Sequence, residues 1–297
     1  MMELITPAPW PNYELIDTGD FQKLERFGDF IVTRPEPKAI WDRALPEKEW
    51  QKLSHATFRK TKDFDPGDKE ERGEWFLKPE MKEQWYVSFK YHSLNFKMRL
   101  GLTPFKHVGI FPEQAVNWTY IYDNLSAYKQ QPRFLNLFAY TGAASIVAKA
   151  AGADVVHVEA LKQLIGWSKS NMEASGLADI RWLLEDAAKF VKREVRRGNF
   201  YQGIILDPPA YGRGPTGEKW ILEEGIRDLL EDVSKILAPE NSFIIVNLYA
   251  KGINPLITEN LFNGAFGNTP DKQLGELYME DRAGRKLPYG TLLRLKR

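Results

Sequence analysis

The sequence predicts an α/β protein in two parts, a smaller β-rich domain over residues 1–104 and an alternating strand–helix domain over residues 105–297. Three observations carry this. Up to about residue 105, short β-type runs are separated by Pro, Gly, Asp and Lys clusters. After Thr103-Pro104 the rhythm changes to apolar strands alternating with amphipathic helices, the pattern of a mostly parallel sheet. The last two strands enclose Ala283-Gly284-Arg285 with no helix between them, so the chain should finish as an antiparallel hairpin.

In the first part, strands are expected at Tyr13–Asp17, Phe30–Thr33, Glu74–Leu77, Trp85–Tyr91 and Leu94–Leu100. Trp10, Trp41, Trp50, Trp75 and Trp85 lie here, read as core residues of a small β domain, with base stacking as the alternative. The stretch Lys60–Glu74 carries Asp63, Asp65 and Asp68 without calcium-loop spacing and reads as a solvated turn. In the second part, a helix is expected over Ala115–Lys129, a strand at Arg133–Phe138 and a helix over Ala143–Ala151. Strand Val155–Glu159 precedes a helix that runs through Asn171 and ends at Gly176. Strand Ile180–Leu184, helix Ala187–Arg197 and strand Gly203–Asp207, apolar up to its closing acid, follow. Helix Ile221–Leu237, strand Ser242–Tyr249 and the final pair Leu274–Glu280 and Thr291–Lys296 complete the series.

Composition removes several functions. The hydrophobic fraction of 43% belongs to a packed globular chain, and no apolar run approaches the ~20 residues of a membrane span. The first residues have neither the basic start nor the apolar stretch of a signal peptide, so a cytoplasmic location is expected. There is no cysteine, which excludes disulfides, thiolate metal sites and thiolate nucleophiles. His55, His92, His107 and His157 show no zinc-like spacing, and no metal is expected. A net charge of +1 is low for a dedicated nucleic-acid binder, although a local basic patch is compatible with it.

In open α/β sheets, ligands bind beyond the carboxyl ends of the strands. After the first strand of the second part comes Asn136-Leu137-Phe138-Ala139-Tyr140-Thr141-Gly142, whose glycine opens onto a helix N-terminus able to hold a carboxylate. A dinucleotide site would need G-x-G-x-x-G, and only one of those glycines is present. Glu159 ends the next strand, placed to accept hydrogen bonds from ribose hydroxyls. Asp186 follows the third, either as acceptor for an adenine amine or as N-cap of the helix starting at Ala187, and both roles stay open. The fourth strand ends in Asp207-Pro208-Pro209-Ala210-Tyr211, a rigid turn with an acid, proline carbonyls and an aromatic ring.

Asn136–Gly142, Glu159, Asp186 and Asp207–Pro209 resemble the bacterial 23S ribosomal RNA methyltransferases that make 5-methylcytosine or 7-methylguanine, and Gly109–Gln114 is similar to that family's G-x-F-x-D-Q element. The resemblance covers roughly residues 94–297. It implies a Rossmann-like, seven-stranded class I methyltransferase sheet and S-adenosyl-L-methionine as cofactor. It also implies a cofactor pocket of Phe111, Gln114, Asn136, Phe138, Tyr140, Thr141, Gly142, Glu159, Ala160, Asp186, Ala187 and Asp207. The 5-methylcytosine members carry a cysteine just after the fifth strand; here that place reads Asn247-Leu248-Tyr249-Ala250-Lys251. Attack on a pyrimidine ring through a thiolate is therefore closed to this chain. The family's usual N-terminal RNA-binding module is not recognisable in residues 1–90, and the loop Tyr211–Trp220 is unusually glycine-rich, which suggests a mobile gate.

The expected activity is direct methyl transfer to a nitrogen of an rRNA base. Asp207, Pro208 and Tyr211 would orient the nucleophile, and Arg213, Lys219 and Lys251 would form a phosphate-facing rim. A small molecule or protein side chain as acceptor, and a cofactor-binding assembly factor without catalysis, are the alternatives.

Overall fold

We describe residues 2–60, 72–269 and 271–297 of a computed structural model. The expected turn with Asp63, Asp65 and Asp68 lies outside these residues. The chain forms two compact units. One contains Thr6–Glu113 and Tyr278–Pro288; the other contains strand Glu3–Ile5, Gln114–Leu277 and Tyr289–Arg297.

In chain order, β1 is Glu3–Ile5, β2 Tyr13–Gly19, β3 Gln22–Phe27, β4 Phe30–Pro35, α1 Glu47–Leu53, β5 Ala56–Lys60, β6 Gly73–Leu77, β7 Gln84–Tyr91 and β8 Leu94–Gly101. The smaller unit holds a five-stranded sheet, β2-β3-β4-β5-β6, and the antiparallel ribbon β7-β8. Trp10, Trp50 and Trp85 are buried, and the indole N–H groups of Trp50 and Trp85 donate to Asp17 Oδ2 and the Phe27 carbonyl. These rings are core, not stacking platforms. Strand β3, read as QKLERF, was not expected, because the charged Lys23 and Glu25 are buried alongside Leu24 and Phe27. Glu25 is fully buried and accepts from Tyr13 Oη at 3.0 Å and Arg34 Nε at 2.8 Å, with Lys23 Nζ at 3.7 Å. A buried ion cluster carries no hydrophobic alternation to read.

A short 3-10 turn at Pro112–Gln114 leads into α2, Ala115–Ser126. Then come β9 Arg133–Leu137, α3 Ala143–Ala150, β10 Asp154–Glu159, α4 Lys162–Ala174, β11 Arg181–Leu184, α5 Ala187–Arg197 and β12 Gly203–Leu206. The small antiparallel pair β13 Tyr211–Arg213 and β14 Lys219–Ile221 precedes α6 Leu222–Ile236, β15 Phe243–Leu248, α7 Pro255–Phe266, β16 Gln273–Glu280 and β17 Lys286–Lys296. The large sheet has the order β1-β16-β17-β15-β12-β9-β10-β11. Pairs β15-β12-β9-β10-β11 are parallel, and β17 runs antiparallel to β15. Seven of these strands are the expected ones; the eighth, β1, is only three residues long and pairs parallel with β16. Helix α7 was not expected from periodicity either, although Asn254 caps it and Pro255 opens it.

Strands β12 and β15 are buried at every position, as unbroken apolar central strands of a parallel sheet must be. A Cβ on Gly203 would come within 2.7 Å of both Phe134 and Phe243, so only glycine lets those rings meet over the sheet. Helix α5 buries Ala187, Phe190, Val191 and Glu194, one stripe at helical spacing, and turns its basic residues outward. This packing fixes the carboxyl ends of β9, β10, β11, β12 and β15 along one edge, at which Glu159, Asp186 and Asp207 stand.

Candidate functional site

The turn after β9 holds three left-handed residues, Phe138 (φ 55°), Tyr140 (φ 51°) and Gly142 (φ 87°). Two are not glycine, a backbone cost of order 1 kcal/mol each that concentrates at ligand-binding turns. At Gly142 a Cβ would also meet Ser168 of α4 at 3.1 Å, so the glycine serves close packing as well as the turn. Glu159, 7% exposed, fastens this loop: Oε2 accepts from the Tyr140 amide at 2.9 Å and Oε1 from the Leu161 amide at 3.0 Å. Burial pushes its carboxyl above the usual range, against the Leu161, Tyr140 and Ala160 amides that favour the anion. The Thr141 carbonyl accepts from Asn171 Nδ2, and the Tyr140 carbonyl from Ser168 Oγ, both at 2.9 Å.

Asn136 points the other way. Its amide donates to Ser145 Oγ, which in turn bonds His157 Nδ1 at 3.0 Å inside the β9–β10–α3 packing. His157 is fully buried, and desolvation lowers its pKa to about 3, so it stays neutral. Asp186 caps α5, accepting from the Lys189 amide at 2.9 Å, and Ala187 is the buried first residue of that helix. The cap role expected from the sequence is thus realised, and a cap carboxylate keeps a second oxygen able to accept. Leu161, two residues after Glu159, and Leu184, at the end of β11, are exposed large apolar side chains.

Asp207 follows β12. Gln114 Nε2 donates to its Oδ2 at 3.0 Å and to the Tyr249 hydroxyl at 2.8 Å. Pro208 is buried, and the Pro209 carbonyl accepts from Trp220 Nε1 at 2.7 Å. Trp220 also meets Phe138, with ring centroids 5.0 Å apart, and so ties the turn after β12 to the loop after β9. The glycine-rich segment Tyr211–Trp220 includes a hairpin, with Tyr211 opposite Ile221 and Gly212 opposite Trp220. Tyr211 is half-buried, while Arg213, Lys219 and Lys251 are exposed. Phe111 belongs to the other unit, where its ring lies 5.1 Å from His107.

Sequence reasoning missed Trp220, Tyr249, Asn117, Asn247 and Arg294. Faint signals existed for the last two: a lone asparagine in the apolar strand FIIVNL and a lone cation in TLLRL. Among the described residues no helix is long and apolar enough to cross a membrane, and no group of three or more His, Cys, Asp or Glu side chains is arranged to hold a metal ion.

No protein-family model matches the chain. The crystal structure of a SAM-dependent methyltransferase from Agrobacterium tumefaciens is similar over 99% of this chain and 93% of its own, with a TM-score of 0.89 and 34% identity. A SAM-dependent methyltransferase structure from Streptococcus mutans, described as putative, shares the fold over 97% of this chain and 75% of its own, at a TM-score of 0.71 and 17% identity. In sequence, the ribosomal RNA large subunit methyltransferase K/L of Pseudoalteromonas translucida is 29% identical over 155 residues, 51% of this chain. The chain spans about a fifth of the length of that relative (21%).

S-adenosylmethionine is a cationic, phosphate-free nucleoside, and the residues present fit it. Three carboxylates stand at the ends of β10, β11 and β12, two leucines near the ends of β10 and β11 are exposed, and a strained loop opens onto the N-terminus of α3. Glu159 and Asp186 would hold the ribose and adenine ends, and the Tyr140–Gly142 loop the amino-acid end. With this site and a relative at 34% identity matched along nearly its whole length, the chain belongs to the SAM-dependent methyltransferases.

Proposed function

We propose that this methyltransferase acts on a nitrogen of a base in large-subunit ribosomal RNA by direct transfer. The observation that carries the reading is Asp207, held by Gln114 at the end of β12 and followed by the fixed Pro208-Pro209 turn, in a chain with no cysteine. When bound, the cofactor would supply an electrophilic methyl group, its sulfur keeping the electrons of the broken S–C bond and leaving as the neutral thioether. Asp207 orients the N–H of the acceptor and takes up the proton that the nitrogen gives up as its new N–C bond forms. Pro208 restrains the backbone behind that carboxylate, and Tyr211 offers a ring to the base.

Two further features favour RNA. The curated relative carries a ribosomal RNA methyltransferase name, and Arg213 stands directly opposite Lys219 in the β13–β14 register. Like charges directly opposite destabilise a ribbon unless an anion lies against them, and a phosphate backbone is such an anion. Substrate recognition by the residue 1–104 domain belongs to the same proposal.

The test is transfer of labelled methyl from S-adenosylmethionine to protein-free large-subunit rRNA, followed by nucleoside analysis. An N-methylated nucleoside, with the yield cut about a hundredfold or more by Asp207→Ala, is expected. A carbon-methylated pyrimidine, or label reaching only small molecules or proteins, would overturn it.

A further inference from the structure

The carboxyl end of β12 is tied to that of β15 by a chain of buried side chains running back to β17. Arg294, 6% exposed, donates from Nε to Asn117 Oδ1 at 3.2 Å and from its terminal nitrogen to the same oxygen and to the Val116 carbonyl. Asn117 Nδ2 donates to Gln114 Oε1 at 2.7 Å and to Asn247 Oδ1 at 3.2 Å. Gln114 Nε2 donates to Asp207 and to Tyr249.

The direction of every bond follows from the first. A guanidinium has five N–H groups and no acceptor, so the Asn117 atom facing it must be the oxygen. The Asn117 amine then faces Gln114, so Gln114 must answer with its carbonyl oxygen. Its NH2 is left for Asp207 and Tyr249, one hydrogen each. The Tyr249 oxygen therefore accepts, and its own hydrogen is turned away from Gln114.

We propose that Tyr249 is a substrate-contacting residue, fixed by the Arg294–Asn117–Gln114 relay as a hydrogen-bond donor beside the acceptor Asp207. Both groups sit within 3.0 Å of one nitrogen, at the carboxyl ends of adjacent strands. Together they fit a substrate edge that presents an N–H next to an acceptor, the pattern on the pairing edge of nucleobases. Asp207 takes the N–H and Tyr249 gives to the neighbouring acceptor. The substrate class rests on the proposed function; the relay does not.

Packing alone is a poor reason for this chain of amides. Asn117 and Asn247 are fully buried, and Asn247 Nδ2 has no partner among the described residues. Burial also lowers the Arg294 pKa to about 10. An apolar set of side chains would avoid both penalties. What the polar set provides is a fixed orientation for one amide.

Tyr249→Phe and Asn117→Asp test it. Asn117→Asp keeps the acceptor for Arg294 but removes the donor to Gln114, so the Gln114 amide is free to turn over. Each should lower kcat on protein-free rRNA at least tenfold, while S-adenosylhomocysteine affinity by calorimetry stays within twofold. A proportional loss of both, tracking a fall in Tm, would overturn the proposal and mark the network as structural. A second readout needs no substrate. In a 15N-labelled sample both Gln114 side-chain N–H signals should move in Asn117→Asp, and one of the pair should move in Tyr249→Phe. Unmoved signals would overturn the relay. If the wild-type enzyme methylates no rRNA, the proposed function fails while the amide signals still decide the relay.

Discussion

Trp220 joins two loops with one side chain, through its N–H to the Pro209 carbonyl and its ring against Phe138. Trp220→Phe keeps an aromatic ring near Phe138 and removes the N–H. The expected cost is about 2–3 kcal/mol in urea unfolding, one hydrogen bond plus the packing of the lost ring atoms, with methyl transfer falling by more than that cost accounts for. Activity that follows stability alone would reduce Trp220 to a packing residue. Asp186 separates in the same way. Asparagine caps a helix as well as aspartate does, so Asp186→Asn should leave unfolding unchanged, whereas Asp186→Ala should cost about 1 kcal/mol. If Asp186 also faces the adenine amine, Asp186→Asn weakens S-adenosylhomocysteine binding in calorimetry; unchanged affinity would confine the residue to the cap. The carboxylates at strand ends were legible in the sequence because an acid closing an apolar run is a local pattern. Tyr249 and Trp220 were not, because the atoms they hold, on Gln114 and Pro209, come from other segments.

At the scale of elements, the β13–β14 hairpin sets Arg213 against Lys219, and both are exposed. If a phosphate lies between them, replacing both with alanine should reduce the salt dependence of RNA binding by about 0.7 to 0.9 in slope for each phosphate no longer neutralised. An unchanged slope, measured by binding over a series of salt concentrations, would place the pair in plain solvent. The loop after β9 makes a second case. Glu159 holds it through backbone amides, and its carboxylate is the group proposed for the ribose hydroxyls. Glu159→Ala should therefore weaken S-adenosylhomocysteine at least tenfold, about 1.4 kcal/mol, and a smaller loss would show that the loop amides were its main partners. The elements themselves were largely readable, since strand β12 and helix α5 follow apolar run and helical stripe closely. Strand β3 was hidden by its buried charges and β1 by its length.

For the molecule as a whole, two buried groups give folding stability opposite pH dependences. Glu113 is 2% exposed, and burial raises its pKa to about 7 from 4.5. The folded state then binds more protons than the unfolded one between those values. Its contribution is fully present below pH 4.5 and is lost as pH rises through 7, a change of about 3.5 kcal/mol at 1.4 kcal/mol per pH unit. His157, lowered to about 3 from 6.5, works the other way: its contribution is present above pH 6.5 and is lost as pH falls toward 3. Glu113→Gln should therefore gain stability relative to the wild type as pH rises from 5 to 8, measured by urea unfolding. Parallel curves for the two proteins would contradict the burial argument. By itself the sequence determined the alternation of strands and helices, the closing hairpin, the acids at successive strand ends and the absence of any thiol chemistry. All of these are written in local order, in runs, periods and residue types. Only the tertiary structure decided that Asn136 turns inward to Ser145, that Trp220 bridges two loops, and that Arg294 reaches Asp207 and Tyr249 through two amides. Those partners lie up to 177 residues apart, and a hydrogen bond has a direction only when both of its ends are in place.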